Sequence, residues 1–392
     1  MGTMINCDVL MLVDNPLTND RRIFREMETL SQSGLNVVVL AIEDNSLPVN
    51  TILYGCQVYR IIPYQVFEPF SDSIFSSLSE KILKEFEFKI IHAHDHTMLH
   101  LGSIIKKRKK DLVLIYDSHE LFHSWPLNLS NFDSKWIFIK SFIVRKLYVL
   151  REKRNRKEID FLITVNKSLA TLLKKYLKIK TEPIVLRNTP NLINQVEPSQ
   201  ILREKFNISI DIPILVFIGA NIYSNTLNIE QVINEVKNNP KIAFVIICAF
   251  NKNSEEIRNF VLKEKISNIY FHDLVEPEEI PKYLSSADIG LVPTWNKTDL
   301  SYWYALDNKL FEYVQARIPI LATAQPEYKN IVEDYNCGMC ILPSAENAYF
   351  NGFLEILKNK EEYLVGVNKA ASELNWEIES QKLTLLYKTI FN

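Results

Sequence analysis

Residues 288–323 read DIGLVPTWNKTDLSYWYALDNKLFEYVQARIPILAT. The opening run DIGLVPT is short, apolar and closed by Pro293, as a buried strand is, and IPILAT at the far end is a second such run. Between them Leu310, Phe311 and Val314 recur at helical spacing. Strand, helix and strand in this order make a βαβ unit, and βαβ units build parallel sheets. The helix also carries polar residues that packing alone does not require. It opens on Asp307, Asn308 and Lys309 and holds one carboxylate, Glu312, among apolar neighbours. With Asp307 or Asn308 as cap, first-turn amides and the positive end of the helix dipole point outward, a seat for an anion such as phosphate. Lys309 adds a positive charge to that seat. Glu312 lies one turn deeper on the same face as Asn308, where a carboxylate can accept hydrogen bonds from two vicinal hydroxyls such as those of a ribose. A capped helix with a solvated glutamate would give the same letters, and the residues alone leave both readings open.

The same alternation runs through the whole chain of 392 residues, a length that fits two domains. In the first half CDVLMLV, NVVVLAI, QVYRII, FKIIHAH, LVLIYDS, FLITVN and PIVLRN read as strands, with helices between them such as NDRRIFREMETLSQSG. The second half restarts with PILVFIGAN and continues through IAFVIICAF, NIYFHD and GMCIL. The boundary falls in the proline- and asparagine-bearing, aperiodic stretch at 188–199. We therefore expect an α/β fold with Rossmann-like domains at 1–187 and 200–375, ligands binding at strand C-termini.

Hydrophobic content of 47% and charged content of 23% exclude a disordered or fibrous chain. No run is long and apolar enough to span a bilayer, and MINCDVLMLVDN, with Asp8 and Asp14, reads as a first strand rather than a signal peptide. MGT ahead of Met4 reads as an added leader. The five cysteines are scattered; only Cys337 and Cys340 have CxxC spacing, and without a second pair they read as reduced thiols. Charge is uneven: residues 1–186 carry 26 Lys and Arg against 21 Asp and Glu, net +5, while the remainder holds 19 against 26, net −7. An anionic partner is therefore expected on the first half.

Chemistry collects at strand ends. IIHAHDHTMLH places His92, His94, Asp95 and His96 at one, and IYDSHELF places Asp117, His119 and Glu120 at the next. His92 reads as a core histidine and His100 as a helix residue. His119, just past its strand, reads as a contact to a sugar hydroxyl or phosphate. The spacing does not match a zinc motif. Gly219 ends PILVFIGAN, and with nine glycines in the chain one at a strand end counts; it lets a backbone amide approach a ligand, or simply makes a tight turn.

The pattern resembles the GT-B glycosyltransferases, in particular the retaining family-4 type, over nearly the whole chain. NDRRIFREMETLSQSGLNVVVLA resembles that family's first helix and second strand, IHAHD and YDSHELF its N-domain motifs, and LSSADIGLVPT with NKLFEYVQARIPILAT its donor-binding C-domain. LNWEIESQKLTLLYKTI resembles the terminal helix, 376–392, that crosses back to the N-domain. The resemblance implies two Rossmann-like domains facing across a cleft, with the acceptor on the first and a nucleotide-sugar on the second. It implies donor contacts at Gly219, His272, Tyr304, Asn308, Lys309 and Glu312, catalytic positions at His119, Asp20 and Arg21, and acceptor-side positions at Asn19, His94, Asp95 and Glu120. Glu312 matches the second glutamate of the E-x7-E motif, and Tyr304 stands where the first belongs. The glycine-rich loop after the first strand is replaced by NPLTNDRR. The Arg and Lys that clamp the diphosphate are absent from GANIYSNTLNIE, and Arg317 replaces a helix-ending glycine. No metal or cofactor is implied; the co-substrate is a UDP-sugar, with GDP- and CMP-sugars as alternatives.

Residues 135–157, KWIFIKSFIVRKLYVLREKRNRK, hold nine Lys and Arg and one acidic residue, Glu152, interleaved with Trp136, Phe138, Phe142 and Tyr148. An amphipathic basic helix of this kind suits an anionic membrane surface, and KKRKK at 106–110 could extend it. The alternative is a helix packed on its own sheet with a solvated basic side. No nucleic-acid motif is present. The expectation is a cytoplasmic glycosyltransferase, peripheral on the inner face of the plasma membrane, that extends a lipid-linked or surface-polysaccharide glycan. A non-catalytic GT-B-shaped subunit and a GT-B sugar-nucleotide epimerase are the competing readings.

Overall fold

The protein is described here from a computed structural model covering residues 4–68, 70–124, 135–222 and 226–392. Residues 1–3 and part of the loop after Gly219 lie outside the described residues. The chain divides into two units, residues 1–188 with 379–392, and residues 189–378.

The first unit contains β1 (Ile5–Asn6), β2 (Val9–Leu12), β3 (Val37–Ile42), β4 (Asn50–Leu53), β5 (Cys56–Ile62), β6 (Phe86–Glu87), β7 (Ile90–His94), β8 (Val113–Ser118), β9 (Phe161–Thr164) and β10 (Ile184–Val185). Its main sheet runs β10-β9-β8-β7-β2-β3-β5-β4, and β1 pairs separately with β6. All main-sheet pairs are parallel except β4 with β5. The second unit contains β11 (Ile214–Gly219), β12 (Ala243–Cys248), β13 (Ile269–His272), β14 (Ile289–Val292), β15 (Ile320–Thr323) and β16 (Gly338–Ile341), in the order β13-β12-β11-β14-β15-β16. Relabelled from its first strand this is the 3-2-1-4-5-6 order of a Rossmann domain. Both sheets reverse direction beside their first central strand, at β2/β7 and at β11/β14, and ligands bind beyond the strand C-termini at such a switch point.

The central strands β2, β3 and β12 are buried at every residue because helices cover both sheet faces, which is why they read as unbroken apolar runs. The sequence reading missed β1, β4 and β6. β4 is a half-exposed edge joined to β5 by the two-residue turn Tyr54–Gly55, both at positive φ (49° and 78°), the geometry of a tight hairpin.

The aperiodic stretch after residue 188 is fastened rather than free. Gln315, fully buried, accepts from the Ile193 amide at 3.0 Å and donates to the Ala371 and Leu374 carbonyls. Arg317 takes the left-handed conformation (φ 60°) usually left to glycine and uses its guanidinium to hold the Ile193 carbonyl at 2.7 Å. The last helix, Trp376–Phe391, starts in the second unit and from Glu379 packs on the first. There Glu379 pairs with Arg187 at 3.0 Å, and the Tyr387 hydroxyl lies 2.8 Å from His92 Nδ1.

The basic segment forms the helix Lys135–Asn155, with an arrangement that differs from the one expected. Arg151, Glu152 and Asn155 are buried, while Trp136, Ile139, Phe142, Ile143 and Leu150 are exposed beside Lys135, Lys140, Lys146, Lys153 and Arg154. Trp136, Ile139, Ile143 and Leu150 recur at helical spacing, so apolar and basic residues share one outer face. In the 106–110 run Lys106 is tied to Asp160, Arg108 to Glu80 and Lys109 to Glu87. Among the described residues no helix is long and apolar enough to cross a membrane.

Candidate functional site

In the second unit β11 ends at Gly219 and its neighbour β14 at Val292, at the switch point. The helix Asn308–Gln315 covers this place, with Leu310, Phe311, Tyr313 and Val314 buried in the core. Tyr313 fixes its height. The hydroxyl accepts from the Ile218 amide at 3.1 Å and donates to the Leu291 carbonyl at 3.0 Å, so it ties β11 to β14. Its ring lies on Gly290, where an added Cβ would come within 2.3–2.6 Å of the ring carbons. The helix start is thereby held over the strand ends.

The expected side-chain cap is not made. Asp307 occupies the cap position, but its carboxylate accepts from Thr294 Oγ1 and Lys309 Nζ, each at 2.6 Å, instead of from a first-turn amide. The reason is electrostatic: burial opposes the Asp307 charge, and the Lys309 ammonium and Thr294 hydroxyl hold it below the usual carboxylate range. Thr294 is itself fixed, its carbonyl accepting from Thr323 Oγ1 and Gln325 Nε2. Lys309 is therefore aimed at the end of β11, its ammonium 5.5 Å from the Phe217 ring centroid and its Cε 3.7 Å from where a Gly219 Cβ would stand. Asn308 is exposed, and Glu312 is half-buried one turn further along.

In the first unit a polar cluster fills the other switch point. Arg22 is buried; it holds both Asp117 carboxylate oxygens (3.0 and 2.8 Å), the Leu186 carbonyl (2.9 Å) and Glu26 (3.0 Å). His92 and His94, alternate residues of β7, face the same carboxylates at 3.7–3.9 Å. Burial keeps both imidazoles below their ordinary pKa, hence neutral, and pushes Glu26 up. His119 differs. Burial again works against its charge, but Asp95 and then Asp117 raise its pKa well above the ordinary value.

Two family models match the chain: Glycosyltransferase Family 4 over residues 20–188 and Glycosyl transferases group 1 over residues 212–359. The chain belongs to the GT-B glycosyltransferases of family-4 type. The sucrose-phosphate synthase of Thermosynechococcus elongatus superposes with a TM-score of 0.74 at 17% identity over 98% of this chain and 99% of that one. HepE of Anabaena, in complex with UDP, gives 0.72 at 11% identity over 97% and 100%. WaaG, a glycosyltransferase involved in lipopolysaccharide biosynthesis, gives 0.59 at 14% identity over 96% and 99%. No curated protein matches the chain in sequence.

Within this glycosyltransferase the expected residues separate by location. Gly219, Asn308, Lys309 and Glu312 gather around one helix of the second unit, whereas Tyr304 ends the preceding short helix, Leu300–Trp303. His272 lies on β13, the edge strand, with both ring nitrogens engaged: Nε2 accepts from Lys205 at 2.7 Å and Nδ1 donates to the Asp273 carbonyl at 2.6 Å. Its imidazole serves the fold rather than a ligand. His94, Asp95 and His119 come together in the first unit. Glu120 follows His119 and Asn19 precedes Asp20, and both are exposed. Asp20 caps the helix Arg21–Gln32, accepting from the Ile23 amide at 3.2 Å and from Asn15 at 2.9 Å, and Arg21 opens that helix. Sequence reasoning missed Arg22, Glu26 and Thr294. The i,i+4 spacing of Arg22 and Glu26 was a visible signal.

Glu26, His92, His94 and Asp117 offer donor atoms within 4.8 Å of one another, a set that could hold a metal ion. The Arg22 guanidinium already lies against both carboxylates, so a divalent ion would be seated beside a fixed positive charge. The quartet fits a guanidinium better than a metal.

Proposed function

We propose that this glycosyltransferase moves a sugar from a nucleotide-sugar, a UDP-sugar foremost, to a lipid-linked or surface-polysaccharide glycan, with retention of anomeric configuration. The observation that carries the reading is the aim of Lys309 and its helix start at the end of β11, the switch point where a Rossmann sheet takes its ligand. HepE has been crystallised with UDP and with UDP-glucose, which supports the uridine donor.

In this reading the bond from the anomeric carbon to the donor phosphate breaks, and its electron pair stays on the departing nucleotide. The helix amides and Lys309 stabilise that charge, the work an Arg and Lys after Gly219 would otherwise do. Glu312 accepts from the ribose hydroxyls. His119 is read as a contact to a sugar hydroxyl or phosphate. The acceptor hydroxyl bonds to the anomeric carbon on the face the phosphate leaves and gives its proton to the leaving phosphate oxygen. No metal ion or cofactor has a step. The mixed apolar and basic face of Lys135–Asn155 docks the enzyme on an anionic membrane, the cytoplasmic side of the plasma membrane in this reading. The involvement of WaaG in lipopolysaccharide biosynthesis supports a surface-glycan acceptor.

Calorimetry with UDP-, GDP- and CMP-sugars tests the donor, and the anomeric signal of the product tests retention. Glu312→Ala should weaken nucleotide binding about 10- to 150-fold, the loss of hydrogen bonds to a charged group, with an unchanged melting temperature. Equal affinity in wild type and variant would remove Glu312 from the site.

A further inference from the structure

We propose that Asp95 is a positioning residue of the transfer reaction: it holds the His119 backbone amide and faces Nδ1, so that Nε2 is turned towards a sugar hydroxyl or phosphate oxygen. This rests on the reading of His119 as a contact to a sugar hydroxyl or phosphate. Asp95 Oδ1 accepts from the His119 amide at 3.0 Å, and Oδ2 lies 3.3 Å from Nδ1. The grip needs an unusual backbone. Asp95 opens the helix Asp95–Arg108 in the left-handed region, φ 61°, where an L-residue pays a conformational penalty of about 1–2 kcal/mol and which aspartate tolerates better than most. Strain of this kind persists where the surroundings over-determine it, commonly at functional sites. Here it accompanies the carboxylate's return to the residue following β8.

Nε2 is differently placed. His94 Nδ1 stands 3.4 Å away, a long hydrogen bond, and Asp117 Oδ1 3.6 Å away, and the side chain keeps 21% exposure. This donor is loosely held and within reach of a ligand. A charge-assisted N–H at this place suits a sugar hydroxyl or a phosphate oxygen.

His119 is faced by Asp117 on β8, Arg22 and Glu26 on the helix Arg21–Gln32, His92 and His94 on β7, and Asp14 past β2. Asp117 is bound to Arg22 through both oxygens, so its charge is already matched. Asp95 is the larger of the two carboxylate influences that raise the His119 pKa.

Asp95→Asn keeps the acceptor for the His119 amide and the side-chain shape while removing the charge. Asp95→Gly relieves the left-handed strain and deletes the carboxylate altogether. The readouts are the pH titration of the His119 ring nitrogens by NMR, and kcat and KM against pH. In both variants His119 should titrate at lower pH than in wild type. In Asp95→Asn the alkaline side of the kcat profile should move to lower pH, falling about tenfold per pH unit above the new midpoint, and activity should return on acidification. Nucleotide affinity by calorimetry should not change. A His119 titration unmoved in both variants, or a kcat loss equal at every pH, overturns the proposal. Absence of sugar-nucleotide turnover by the wild type would instead overturn the donor reading, and the NMR titration would still decide whether Asp95 controls His119.

Discussion

At the scale of single residues, Arg22 stabilises two carboxylates that have left water. A buried ion pair is poor evidence of net stability, because desolvation offsets the attraction, but removing one partner strands the other. Arg22→Met should therefore destabilise the protein by about 3–5 kcal/mol at neutral pH. The sign of the pH dependence follows from Asp117. Burial opposes its charge, yet Arg22 holds its pKa well below the usual carboxylate range. A depressed folded-state value contributes stability that is present above the unfolded pKa of about 3.9 and lost as pH falls through the folded value. In Arg22→Met the stranded carboxylates can escape their penalty by taking protons. The gap between wild type and variant, measured by urea unfolding, should then narrow as pH falls from 7 towards 5. A gap that stayed constant across this range would mean that Arg22 acts through packing and not through charge.

At the scale of elements, the helix Asn308–Gln315 and β14 are fitted through one contact, the Tyr313 ring on Gly290. Gly290→Ala would overpack this contact and should cost about 1–3 kcal/mol. Because the same helix carries Lys309, the variant should also bind the nucleotide more weakly, and Gly290→Ala/Tyr313→Leu should recover part of both losses. Recovery of stability without recovery of binding would separate the helix position from the seat. The legibility of these elements in the sequence has a physical pattern. The six strands of the second unit were readable because a parallel sheet covered on both faces demands continuous apolar runs. The helix opening was readable because charge and periodicity meet in eight residues. β4 was not, since an exposed edge imposes little on its residues. Nor could the direction of Asp307 be read, because Thr294 and Lys309 compete for a carboxylate that local rules assign to capping. The Arg22 cluster was hidden for a different reason. Its partners Asp117 and Leu186 stand 95 and 164 residues away, and no local pattern encodes such a meeting.

At the scale of the whole molecule, the charge asymmetry noted in the sequence acquires a surface. The net positive first half contains the helix Lys135–Asn155, whose outer face mixes Trp136, Ile139, Ile143 and Leu150 with five cations. A solvated basic helix would bury its apolar residues and expose its charges, whereas this one buries Arg151 and Glu152 and leaves Trp136 80% exposed. That inversion is costly in water and favourable at a lipid interface, where tryptophan and leucine enter the headgroup boundary and lysines meet anionic lipid. The protein should therefore float with vesicles containing phosphatidylglycerol or phosphatidylserine and remain behind with pure phosphatidylcholine, and binding should weaken with salt. At about 1 kcal/mol per cation near the surface, Lys146→Ala/Arg154→Ala should reduce partitioning roughly 30-fold, with nucleotide affinity unchanged. Trp136→Ala should reduce it without altering the salt dependence, because it removes the apolar contribution alone. Equal partitioning onto neutral and anionic vesicles, or variants that bind like wild type, would detach the enzyme from the membrane and leave a soluble glycan as its acceptor.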